Sequence, residues 1–306
     1  MRTGAHIWIG EGIEKAVDTA EMLGCGCFQI FLQNPRSWKR RKRADEEISA
    51  FKKSVKRSNI KPVVVHMPYI LNLASPDKKI AAMSQALFEK EMIEAESLGA
   101  DYYVIHPGSH RGAGIEAGMK NLAASLRPFA ASSPRILLEN TAGQGNTIGG
   151  RWEDFAYLFG RFGNDIGLCF DTAHAFQAGY NIKDEEKLNE MLGAISTNLA
   201  PGAILLIHAN DSASPMGSGL DRHQHIGRGY LGEEAFELLV KDAYCGTLPF
   251  IIETPKSEIN ADRKNLEILR TIGMKYGKIN KLNPSGKKAI LDKKMVRPHN
   301  VTSINL

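Results

Sequence analysis

Six apolar runs of this 306-residue chain each close on a residue that can bind a metal ion: VVVH at His66, YYVIH at His106, RILLE at Glu139, LCFD at Asp171, LLIH at His208 and FIIE at Glu253. A single histidine ending an apolar strand is more often a hydrogen-bonded core residue than a ligand. Three such histidines with two glutamates and an aspartate read differently, because carboxylates crowded at neighbouring strand ends repel one another and resist desolvation unless cations neutralise them. Three more donors follow in short loops: DTAH places His174 three residues after Asp171, and DRH pairs Asp221 with His223. The nine residues are five imidazoles and four carboxylates, a borderline set suiting zinc, with manganese or iron acceptable at some positions. Nine donors exceed one tetrahedral site, and two open sites need fewer, so three ions is the count they imply. Such a cluster generates a nucleophile from water and neutralises charge on an oxygen-rich substrate.

The elements that must position these residues follow from their intervals. From His66 to His106, Glu139, Asp171, His208 and Glu253 the steps are 40, 33, 32, 37 and 45 residues, each enough for a strand, a loop, a helix and a return. Near-continuous Val/Ile/Leu runs are strands buried on both faces, as in a parallel sheet covered by helices. TGAHIWI (3–9) and CFQIFLQ (27–33) add two earlier strands. Helices are predicted over 11–23, 45–58, 78–98, 115–131, 152–162, 185–199, 232–242 and 261–274. Eight such units make a (β/α)8 TIM barrel, whose C-terminal mouth gathers loops from several strands at one point. A doubly wound open sheet would leave two edges and scatter the six donors along a crevice.

Residues 1–280 fit one barrel domain. Residues 281–306 hold six Lys/Arg against one Asp and lack apolar periodicity, so a basic, flexible extension is predicted. That net +5 equals the formal charge of the whole chain, which leaves the barrel formally neutral. No apolar run reaches membrane-spanning length and no leader precedes the first strand, so a soluble, cytoplasmic monomer without membrane partners is expected. Cys25, Cys27, Cys169 and Cys245 lack zinc-site spacing and read as reduced structural thiols.

The motifs HPG (106–108), LENTAGQG (138–145), FDTAHAF (170–176), HANDS (208–212), DRHQHIG (221–227) and IIETP (251–255) stand in the order of a known family. The chain resembles the endonuclease IV family, the zinc-dependent apurinic/apyrimidinic endonucleases of DNA base-excision repair. The resemblance runs from GAH at the start to the last helix and excludes the basic tail. It implies that His66, His106 and Glu139 hold a first zinc. Glu139 then bridges to a second held by Asp171, His208 and Glu253, and His174, Asp221 and His223 hold a third. Bridged metals about 3.5 to 4 Å apart leave room for a shared hydroxide nucleophile, and Glu139 and Glu253 are the implied catalytic carboxylates. Six metal charges against four ligand carboxylates leave about +2 to attract a phosphate. The implied reaction is hydrolysis 5′ to an abasic site in double-stranded DNA, leaving a 3′-hydroxyl.

DNA would be placed over the mouth by QNPRSWKRRKR, with six Lys/Arg between Arg36 and Arg43. A charge run is usually a solvated face, but this one leaves the catalytic end of a strand and includes Trp38. Arg36 and Lys39 are therefore read as phosphate contacts, whereas Arg40–Arg43 could simply precede the next helix. By the resemblance, Arg36 and Tyr69 enter the duplex near the lesion, where a missing base lowers the cost of unstacking. The chain departs from the family in HIWIGEG, where the first strand runs on through bulky Trp8 and Ile9, and in the prolines of NPRSW and HMPY. His6, His110 and His225 are read as supporting the ligands or facing solvent. A metal-dependent sugar isomerase of the same barrel class is the main rival, since such enzymes use a few carboxylate-rich ligands on a small substrate. A non-catalytic DNA-binding barrel would not need an open metal cluster.

Overall fold

Runs such as VVV, ILL and FII become strands because a barrel strand is covered outside by helices and inside by its opposite strands. A computed structural model describes residues 1–256, 258 and 260–278; the predicted tail, 281–306, lies outside the described residues. In chain order the strands are β1 (Arg2–Ile7), β2 (Cys27–Ile30), β3 (Val63–His66), β4 (Tyr102–Ile105), β5 (Arg135–Glu139), β6 (Gly167–Asp171), β7 (Ile204–His208), β8 (Asp211–Ser212), β9 (His223–Gln224) and β10 (Pro249–Ile252). All but the short β8 and β9 pair in parallel into a closed barrel, with β10 returning to β1. Closure removes the open-sheet alternative.

The helices are α1 (Ile13–Met22), α2 (Asp45–Ser58), α3 (Lys78–Leu98), α4 (Ile115–Leu126), α5 (Glu153–Phe162), α6 (Thr172–Gln177), α7 (Glu185–Asn198), α8 (Gly232–Lys241) and α9 (Ala261–Lys275). α2 and α3 have the predicted bounds. α3 starts where the Asp77 carboxylate accepts the amides of Lys79 and Ile80, which satisfies two orphan donors of its first turn. It stops at Gly99, whose φ of 73° suits a residue without Cβ. α4 ends at Leu126 rather than 131: Arg127 still has helical backbone, but Pro128 has no amide hydrogen with which to continue the ladder. β1 and β2 are shorter than predicted, stopping at Ile7 and Ile30. α6 and the antiparallel β8–β9 pair were not anticipated. No described helix is long and apolar enough to cross a membrane.

Two layers of packing hold the barrel. Outside, aromatic residues seat the helices: Phe28 of β2 meets Phe51 of α2 edge-on at 6.2 Å, and Tyr103 of β4 meets Phe88 of α3 at 5.8 Å. All four are fully buried. Inside, Cys27, Val64, Val104, Leu137, Cys169, Leu206 and Ile251 form a dry plug. Because side chains alternate across a strand, the next inward residue is two positions on: Gln29, His66, His106, Glu139, Asp171, His208 and Glu253. His6 of β1 completes this upper ring, its Nδ1 lying 3.0 Å from Glu253 Oε1. The apolar plug thus floors a polar mouth. All four cysteines are buried and unpaired.

Candidate metal centre

Glu139 is the centre of the mouth. It is completely buried, with His66 Nε2 at 3.0 Å from Oε2, His106 Nε2 at 3.5 Å from Oε2 and His208 Nδ1 at 3.0 Å from Oε1. Burial alone would raise its pKa, yet the facing imidazoles of His106 and His208 hold it well below the carboxylate range. Conversely, burial would lower the pKa values of His174 and His208, and neighbouring carboxylates, Asp171 and Asp221 for His174, Glu253 and Glu139 for His208, raise both well above the ordinary imidazole value. Protons on imidazoles therefore balance these carboxylates in the protein alone. Divalent cations would do the same while releasing those protons.

Three groupings of donors have atoms within 4.8 Å of one another: His66, His106 and Glu139; Glu139, Asp171, His208 and Glu253; and Asp171, His174 and His223. Glu139 and Asp171 each belong to two of them. Asp221 flanks the last, its Oδ1 3.1 Å from His174 Nε2 and 3.4 Å from His223 Nε2. The donor chemistry and spacing fit three divalent ions of the zinc class. All nine predicted residues lie at this mouth.

Local structure explains how each donor is aimed. Asp171 caps α6 by accepting the His174 amide at 2.8 Å, so the turn that follows β6 carries His174 back over the mouth. The other Asp171 oxygen accepts from Asn210 Nδ2 at 2.7 Å, and its amide donates to Asn140 Oδ1 at 2.7 Å. His66 and His174 donate from Nδ1 to the carbonyls of Met67 and Asn140, both at 2.8 Å, which turns Nε2 toward the donors. His223 is returned to the site by the β8–β9 pairing, where it stands opposite Ser212. Buried Asp211 shapes the loop after β9, accepting amides from Gly227, Gly229 and Leu231. Gly229 is required there, since a Cβ would lie 2.3 Å from the Ser212 carbonyl oxygen.

One member of the upper ring, Gln29, escaped the sequence reading. Gln29 donates to Glu253 Oε1 at 2.6 Å and accepts from His208 Nε2 at 2.9 Å. His6, read above as supporting or solvent-facing, is one of the supports. His225 bonds Asn265 and His110 accepts the amides of Gly112 and Gly114; both stand apart from the donors.

The basic run divides into two parts. Arg36 and Lys39 are exposed, and the Pro35 carbonyl ties their loop to the next by accepting the Ile70 amide. Tyr69, 56% exposed, stands edge-on to Phe31 at 5.2 Å and to His66 at 5.8 Å. Arg40 and Arg43, by contrast, turn onto α3. Arg40 pairs with Glu91 at 3.2 Å and with Glu94, Arg43 pairs with Glu94, and Tyr103 donates to Glu91 at 3.1 Å. These two arginines anchor the loop rather than merely preceding α2. Glu94→Ala is expected to cost about 3 kcal/mol, as when one partner of a largely buried ion pair is removed, and to raise KM while sparing kcat. Thermal melts and steady-state kinetics read the two effects separately.

A closed barrel with a ring of imidazole and carboxylate donors at its C-terminal mouth has the layout of a barrel enzyme, and residues 17–272 match the Xylose isomerase-like TIM barrel family. Within that class the chain is 40% identical over 278 residues to the probable endonuclease 4 of Chloroflexus aurantiacus, spanning 89% of this chain and 98% of that protein. It superimposes on the crystal structure of endonuclease IV from Thermus thermophilus with a TM-score of 0.80 at 32% identity, covering 90% of this chain and 100% of that one. The chain belongs to the endonuclease IV family. A D-psicose 3-epimerase structure, at 13% identity and a TM-score of 0.66 over 90% of this chain and 100% of that one, shares the fold alone.

Proposed function

We propose that this chain repairs DNA by hydrolysing the phosphodiester 5′ to an abasic site in a duplex, leaving a 3′-hydroxyl and a 5′-deoxyribose phosphate, with three zinc ions as cofactors. The observation carrying this reading is the linkage of three donor groupings through Glu139 and Asp171 in a chain of the endonuclease IV family. His66, His106 and Glu139 would hold one ion, and Glu139, Asp171, His208 and Glu253 a second. His174, Asp221 and His223 would hold the third, with manganese tolerated at some positions. When bound, the ions supply a nucleophile from water at neutral pH and neutralise charge on the phosphate oxygens.

The protein's own part is to orient and select. Asn140 and Asn210 hold Asp171 so that it faces two groupings at once, and the dry plug beneath Glu139 keeps the donors from relaxing downward. Exposed Arg36 and Lys39 neutralise backbone phosphates on the side of the mouth where Tyr69 stands. Tyr69 can offer its ring to the gap left by a flipped nucleotide, and an abasic nucleotide leaves the stack at least cost. Arg36→Ala or Lys39→Ala is expected to lower the slope of log affinity against log salt by about one, as read by fluorescence anisotropy; an unchanged slope would remove that residue from the phosphate contacts.

The test is an end-labelled duplex with one abasic site, run beside aldose and ketose substrates. One nick 5′ to the site with no sugar interconversion is expected. Sugar conversion without nicking would transfer the reading to the sugar isomerases.

A further inference from the structure

We propose that Gln29 is a positioning residue: it selects Nδ1 as the metal-facing nitrogen of His208 and leaves Oε2 as the free oxygen of Glu253. The proposal rests on the metal-centre reading above and goes beyond it by assigning a task to a residue that is not itself a ligand. Gln29 is wholly buried in β2, the one carboxamide among the inward residues at this level of the barrel.

Three side chains meet the carboxamide, since Gln29 Nε2 also lies 2.9 Å from His6 Nδ1, and two of them fix its orientation. A carboxylate accepts only, so the atom 2.6 Å from Glu253 Oε1 must be the Gln29 amide nitrogen. Gln29 Oε1 then faces His208 Nε2 at 2.9 Å, and that nitrogen must carry a hydrogen. Its partner Nδ1 is left pointing into the donor groupings, 3.0 Å from Glu139 Oε1 and 3.3 Å from Glu253 Oε2. Glu253 Oε1 also has His6 Nδ1 at 3.0 Å, so Oε2 is the oxygen left for a metal.

This makes His208 unlike its neighbours. His66, His106, His174 and His223 all turn Nε2 toward donor atoms. His66 and His174 are fixed by main-chain carbonyls, which no substitution of a side chain removes. His208 takes its fixing acceptor from a side chain. Second-sphere partners of this kind orient a ligand and commonly change metal affinity by about 10- to 100-fold.

The test uses the full-length, zinc-loaded protein. Long-range 1H–15N spectra of the wild type are expected to show one imidazole ligated through Nδ1 among others ligated through Nε2. Gln29→Met removes the amide contacts to Glu253, His208 and His6 at similar volume. Chelator competition should then show one zinc equivalent weakened by about 10- to 100-fold, with the others unchanged and the Nδ1-ligated signal lost. Gln29→Glu keeps the acceptor for His208 but sets a carboxylate against Glu253, so the signal should persist while the zinc weakens; this variant decides the matter if Gln29→Met does not fold. A wild-type spectrum without an Nδ1-ligated imidazole overturns the proposal, as does unaltered zinc affinity in both variants. A wild type that takes up no zinc overturns the metal-centre reading and this proposal with it, whereas nicking and zinc uptake in the wild type with no effect at Gln29 overturn the proposal alone.

Discussion

Glu139→Gln is expected to abolish strand cleavage and to leave DNA binding in place. Glutamine is nearly the same size as glutamate, so the barrel mouth keeps its shape. The charge shared by two donor groupings is lost, and one carboxylate oxygen becomes an amide nitrogen that cannot bind a cation. Glu139 lies within 3.5 Å of His66, His106 and His208, so the change disturbs two proposed ion sites at once. Losing a single electrostatic contact in an active site costs about 10²- to 10³-fold; loss of a shared ligand is expected to exceed about 10³-fold in single-turnover cleavage. Affinity for an abasic duplex should stay within about tenfold of wild type, because the phosphate contacts proposed for Arg36 and Lys39 are untouched. Unchanged turnover would mean that Glu139 is not the shared ligand.

Chelation gives the second large effect, and its pH dependence has a definite sign. Ions binding only the folded state stabilise it by about 4 kcal/mol when present at roughly a thousand times Kd, so stripping them should lower Tm by on the order of 10 °C. In the metal-free protein the raised pKa values of His174 and His208 mean that their contribution is fully present below the ordinary imidazole pKa and is lost as pH rises through the folded-state values. Glu139, shifted down, contributes above the ordinary carboxylate pKa and loses that contribution only in acid. The melting temperatures of the metal-loaded and metal-free forms should therefore separate further as pH rises from about 6 to about 9. A gap that narrows over that range would show that protons and metals do not compete at these imidazoles.

The six strand-end donors were legible because each closed an apolar run, and a run buried on both faces cannot carry such a group without a reason. Gln29 and His6 were harder to read, since they lie inside CFQIFLQ and TGAHIWI rather than at an end. Their signal was a polar residue two positions beyond Cys27 and Gly4, visible once strand alternation is counted from the apolar plug. α6 is only six residues long and β8 and β9 two each, too short for periodicity to register. Arg40 and Arg43 looked like a continuation of the charge run because their partners, Glu91 and Glu94, lie some fifty positions away on α3.

Elemental analysis of the purified, zinc-saturated protein tests the central claim most directly. Three zinc ions per chain are expected, one for each grouping of donors. A saturated stoichiometry of one ion or none would contradict the account.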